Sequence, residues 1–221
     1  MTTNLKSISE NKFMFLLLAF VALLLVVPFL QVEVTGGWGI QAIYMAILLS
    51  AIYSLRRHKK HFLFSAIFAT LGCILNFINL ITGNILYELI GNLFYALFYL
   101  LFIQVILNDI MKAEVVSADT FCGAICAYFM LGVFFTSLYT VVEYFIPGSF
   151  SNLNAIDGRI KSFNMLYFSF MTLTTVGYGD ILPVSDHAKA FVMLEGVTGV
   201  FYIAILVSHL VTGVSKIKEK L

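Results

Sequence analysis

The chain has 221 residues, 61% hydrophobic and 11% charged, with a formal net charge of +1. So little charge beside so much Phe, Leu and Ile excludes an ordinary soluble domain and marks an integral membrane protein, with membrane lipids as its first partners. No basic stripe is present, so no nucleic-acid partner is expected.

Apolar segments run over residues 13–31, 39–55, 62–83, 85–107, 119–146 and 185–214, each long enough to cross about 30 Å of hydrocarbon as a helix. Lys6 and Lys12 precede the first, which has no small-x-small cleavage site and reads as a retained span rather than a signal peptide. Pro28 is placed to kink its far end. With the N-terminus inside, Lys6, Lys12, Arg56, Arg57, Lys59, Lys60, Lys112, Lys216, Lys218 and Lys220 are cytoplasmic, and Arg159, Lys161 and Lys189 are external. Ten against three is a positive-inside bias. It predicts a multi-pass protein of the cell (inner or plasma) membrane with both termini cytoplasmic. Trp38 then falls at the outer interface.

The region 13–107 reads as a four-helix membrane domain. Asn76 and Asn79 share one face of its third helix, and Glu88 and Asn92 one face of the fourth. They are candidates for a hydrated outer pocket, or for a hydrogen-bond network that joins the helices. Cys73, Cys122 and Cys126 read as small buried apolar residues, not as a metal site or disulfide. Residues 1–12 and 215–221 are expected as cytoplasmic ends and 108–118 as a cytoplasmic linker. That leaves no soluble ligand-binding domain.

Between the last two spans lies a different pattern. Pro147 to Lys161, rich in Gly, Ser, Asn and Asp, reads as an exposed turret. From Ser162 to Leu173 the chain is apolar and aromatic without Gly or Pro: about three helical turns, too short to span a bilayer. Thr174-Thr175-Val176-Gly177-Tyr178-Gly179-Asp180 follows. Gly177 and Gly179 accept positive φ without a Cβ penalty, as a strand needs if its carbonyls are to face one axis. Val176 and Tyr178 would then pack behind it.

Thr175 to Gly179 resembles the selectivity filter of potassium channels, in which carbonyl oxygens replace the hydration shell of K⁺. The resemblance implies an all-α membrane protein with six transmembrane helices. A re-entrant pore helix and filter loop would lie between helices five and six, within a pore module at 119–214. It implies K⁺ held at Thr175, Val176, Gly177 and Tyr178, supported by Thr174 and Asp180, with Tyr167 as a partner for Asp180. One chain carries one filter strand, so a homotetramer is expected. Passive K⁺ conduction needs no catalysis and no organic cofactor; an enzyme is not expected. Segment 85–107 has no Arg or Lys, so the chain is similar to short bacterial six-helix potassium channels without gating charges, and strong voltage dependence is not expected. A silent or regulatory subunit, or a membrane sensor with a vestigial pore, is the alternative.

In the last span, Gly199 falls about where related channels bend their inner helix, with Gly196 close by. Close helix packing is the other reading of Gly199. Glu195, one turn earlier, is an ionisable group at membrane depth. It is expected to reach the back of the pore helix and hydrogen-bond there, or to contact a hydroxyl such as Thr172. His209 is a candidate proton gate or an ordinary polar residue near the inner interface.

Overall fold

A computed structural model describes residues 12–26, 38–55, 59–112, 117–153 and 162–218. Its elements are α1 (Lys12–Val26), α2 (Trp38–Ser54), α3 (Lys59–Thr82), α4 (Ile85–Lys112), α5 (Ala118–Phe145), β1 (Phe150–Ser151), α6 (Ser162–Leu173), β2 (Leu182–Pro183) and α7 (Asp186–Lys218). Among the described residues, four helices have the length and composition to cross a membrane, over His61–Thr82, Ile85–Lys112, Ala118–Phe145 and Asp186–Leu206. The described residues of α1 (15) and α2 (17) form rods of about 22 and 26 Å. The expected kink at Pro28 and the arginine-rich turn at 56–57 lie outside the described residues.

The fold divides into two compact units. One comprises Met1–Ile67, Leu101–Phe129 and Leu206–Leu221. There Leu16, Phe20 and Leu23, three to four residues apart, form a fully buried stripe on α1; Phe20 packs edge-on against Phe129 of α5, with ring centroids 5.5 Å apart, and α1 also packs on α2. Asp119, in the first turn of α5, accepts the Phe13 N–H at 3.0 Å, tying the first turn of α5 to α1. His209 sits 3.0 Å by Nε2 from the Ile110 carbonyl, among the last carbonyls of α4.

The second unit comprises Phe68–Leu100 and Met130–Ile205. Its α3–α4 hairpin turns on two residues. Gly83, at φ +69°, ends α3 by donating to Asn79 O at 2.7 Å, and the Asn84 side chain accepts the Leu86 N–H at 3.0 Å to start α4. Gly72 and Gly91 let the two helices cross closely. A Cβ on Gly72 would meet the Gly91 carbonyl at 3.2 Å and the Tyr95 ring at 2.6 Å. On α3 the residues Phe64, Ile67, Leu71, Ile74, Phe77 and Ile81 form an uncovered apolar face, suited to lipid or to another chain.

Two expectations are corrected. Asn108 to Lys112, expected in a linker, are the last turns of α4. Polar Asn108 and Asp109 extend the helix beyond its apolar stretch, and Lys112 sits at the negative end of its dipole. In the region expected as an exposed turret, Pro147 and Gly148 are exposed, but the chain then turns inward: Ser149 is 0% and Phe150 4% exposed. Phe150 pairs with Pro183 and Ser151 with Leu182 in an antiparallel ladder. The Glu143 carboxylate caps the turn, accepting the N–H groups of Gly148 at 2.7 Å and Phe150 at 3.0 Å.

Candidate functional site: the loop after α6

The strand after α6 begins as a helix cap. Thr175 N–H donates to Thr172 O at 2.9 Å and Val176 N–H to Met171 O at 2.9 Å. These are the two bonds of a Schellman motif, which places Thr175 at the position usually held by a left-handed Gly. Its φ is +61°. A threonine in this conformation costs about 1–2 kcal/mol relative to the right-handed region. Gly177 N–H also reaches Met171 O, at 3.1 Å, and the Thr174 hydroxyl donates to Phe170 O at 2.6 Å.

From that cap the sign of φ alternates. Thr175 (+61°), Gly177 (+53°) and Gly179 (+79°) are left-handed, and Val176 and Tyr178 between them are not. Alternating handedness of this kind is what a loop needs if successive carbonyls are to face one axis, and carbonyl oxygens are the hard ligands that suit an alkali or alkaline-earth cation. No atom lies within 4 Å of where a Cβ would sit on Gly177 or Gly179. Backbone strain, and not space within the chain, therefore demands glycine there. Val176 is 50% and Tyr178 72% exposed, so within one chain their apolar surface is uncovered.

Behind the strand, Tyr139, Phe150 and Phe168 form a triangle of edge-packed rings with centroids 5.2–5.4 Å apart. Met165, Val142, Phe135, Ile181 and Ala188 complete the core around them. Past the strand, the Asp180 side chain lies beside the Tyr167 hydroxyl, and Asn152 Nδ2 donates to Asp180 O at 2.9 Å. Ser149 O accepts the Val184 N–H at 2.7 Å, and Ser185 Oγ donates to Ser149 Oγ at 2.9 Å while capping α7. The segments before and after the strand are thus tied to each other.

Glu195 is fully buried and meets α6 at Ser169, 2.5 Å from Oγ, one turn before Thr172. The Tyr139 hydroxyl donates to its other oxygen. Ser169 Oγ also lies 2.7 Å from the Gly132 carbonyl on α5, and Gly132 leaves the room that the Phe170 ring occupies. Helix α7 runs unbroken through Gly196 and Gly199. A Cβ on Gly199 would lie 2.5 Å from the Leu173 carbonyl, whereas one on Gly196 would meet nothing within 4 Å.

The four polar residues expected to form an outer pocket are not brought into one site. Asn76 donates to Gly72 O of its own helix at 3.0 Å and fills the notch above Gly91. Asn79 makes a long 3.4 Å bond to Glu88. Asn92 makes no hydrogen bond among the described residues. Sequence reasoning missed Ser169, Tyr139 and Gly132; the two hydroxyls in apolar helices were the available signal.

Residues 124–216 match the model of a family described as "Ion channel". The chain is 34% identical over 80 residues to the potassium channel protein kcv of Paramecium bursaria Chlorella virus 1, covering 35% of this chain and 84% of that one. The chain belongs to the potassium-channel family. It is 30% identical over 108 residues to the voltage-gated potassium channel Kch of Escherichia coli K12, covering 47% of this chain. It is 33% identical over 95 residues to two pore potassium channel c of rice, covering 43% of this chain. It spans only 23% and 19% of the length of these last two relatives. No solved structure matches it significantly.

Proposed function

We propose that this chain is one subunit of a homotetrameric K⁺-selective channel of the cell membrane. It conducts K⁺ passively, with no enzymatic step. The observation that carries the reading is the alternation of left-handed φ at Thr175, Gly177 and Gly179, which sets one row of carbonyl oxygens per chain. One row cannot replace the hydration shell of an ion; four rows around an axis can. The uncovered Val176 and Tyr178, and the uncovered apolar residues Met193, Leu194, Val197, Val200 and Phe201 of α7, supply surface for neighbouring copies.

In this reading α1 to α5 and α7 are the six spans, both termini are cytoplasmic, and α6 is a re-entrant pore helix. Non-helical backbone such as the filter is tolerated at membrane depth only where protein or a water-filled cavity surrounds it. The K⁺ sites use Thr175, Val176, Gly177 and Tyr178, and Asp180 held by Tyr167 marks the outer mouth. Helix α4 carries no basic residue before Lys112, so the channel is not strongly voltage-gated. Opening bends α7 at Gly199. Because that glycine abuts the Leu173 carbonyl, the bend also acts on the pore helix.

The test is ion flux from liposomes carrying the purified protein. With a protonophore present to carry the compensating charge, K⁺-loaded vesicles in Na⁺ medium should empty, and Na⁺-loaded vesicles in K⁺-free medium should not. Silence in both from an intact tetramer would overturn conduction by this chain alone and favour a regulatory subunit.

A further inference from the structure

Glu195 supplies an inference beyond its expected hydrogen bond to the pore helix. Three oxygen–oxygen contacts meet around it: Tyr139 Oη with Glu195 Oε2, Ser169 Oγ with Glu195 Oε1 at 2.5 Å, and Ser169 Oγ with the Gly132 carbonyl at 2.7 Å. Oxygens this close repel unless a hydrogen lies between them, so three contacts need three hydrogens. Tyr139 and Ser169 carry one each, and a backbone carbonyl carries none. The third has one remaining source, the Glu195 carboxyl itself. The Thr136 hydroxyl, 2.8 Å from Gly132 O, uses its own hydrogen in a fourth contact and adds nothing to the three.

We infer that Glu195 is held as a neutral carboxylic acid. It links a one-directional chain in which Tyr139 O–H donates to Glu195, Glu195 O–H to Ser169, and Ser169 O–H to Gly132. The surroundings agree. Glu195 is 0% exposed, among the described residues it forms no salt bridge, and Tyr139 is the one titratable side chain in contact with it. An unpaired carboxylate buried in this way would be costly, and protonation removes that cost while adding a donor.

The chain joins α5, α6 and α7 at one point, one turn along α7 from where Gly199 meets Leu173. Glu195 is thereby a positioning residue: it touches no ion and fixes the pore helix that ends in the filter. This assignment rests on the channel reading for its purpose but not for its chemistry, so it is tested by a measurement that needs no current.

The experiment is infrared spectroscopy of the full-length protein at neutral pH in a detergent that carries no ester or carboxyl group. Carboxylic acids show a C=O stretch that carboxylates lack, and exposed Asp and Glu are ionised there. The wild-type protein should show the band, and Glu195→Gln should lose it. Tyr139→Phe removes the donor to the carbonyl oxygen and should shift the band to higher wavenumber. No band in the wild type, or a band that survives in Glu195→Gln, would overturn the inference. Glu195→Gln keeps one donor and one acceptor, so its thermal stability should stay near wild type. Glu195→Ala should lose stability, and equal loss in Gln and Ala would also count against the neutral acid.

Discussion

Among the described residues, two helices end on a left-handed residue, and the two residues differ. At the end of α3 the residue is Gly83, φ +69°, in a turn between two apolar helices. At the end of α6 it is Thr175, φ +61°. The backbone asks for glycine in both places, and the ordinary turn has it. At the end of α6 a β-branched residue is kept at a cost of about 1–2 kcal/mol. Strain of this kind persists where the surroundings over-determine it and a function uses it. The hydroxyl is what glycine would lack, and in the proposed pore it is an ion ligand. The comparison separates residues chosen for the chain's own stability from residues retained in spite of it.

The largest effect should come from Gly177→Ala. A Cβ at φ +53° costs about 1–2 kcal/mol in each chain, hence roughly 4–8 kcal/mol around the proposed ring of four. Flux measurement should find K⁺ selectivity abolished while the protein still reaches the membrane. Next is a pair on α7. Gly199→Ala forces a methyl to within 2.5 Å of the Leu173 carbonyl and should destabilise by about 1–3 kcal/mol. Gly196→Ala enters open space and should stabilise the helix by up to about 1 kcal/mol. Thermal melts of the two variants, moving in opposite directions, check this. Thr175→Gly sharpens the comparison itself. It should raise thermal stability by relieving about 1–2 kcal/mol per chain, yet lower K⁺ selectivity. A variant that gains stability and keeps full selectivity would remove the reason given for the threonine. The smallest effect belongs to the exposed Lys189–Asp186 pair, 3.3 Å apart, whose removal should change stability by less than about 1 kcal/mol.

Much of this was legible in the sequence where one residue type answers one local demand. Gly177 and Gly179 announce left-handed backbone, and Gly83-Asn84 announces a helix stop followed by a start. Thr175 was not legible as left-handed. A rule that assigns positive φ to glycine passes over a residue placed there by a helix cap and kept for its side chain. The polar turn Asn108–Lys112 read as linker because apolarity ends there, although helical hydrogen bonding does not. Phe150 read as turret because its neighbours are Gly, Ser and Asn, and the lone aromatic was the clue that the segment folds inward. The partners of Glu195 were hidden for another reason. Helical spacing tells which residues share a face, but not which face of a distant helix it meets, and Ser169 and Tyr139 lie 26 and 56 residues away.

The central claim is that the strand Thr175–Gly179 selects K⁺. It is tested most directly by the reversal potential of the purified protein in a planar bilayer, with K⁺ on one side and Na⁺ on the other. The account predicts reversal close to the K⁺ equilibrium potential, with that selectivity lost in Gly177→Ala. Reversal near zero in the wild type, or a K⁺ reversal that survives Gly177→Ala unchanged, would contradict it.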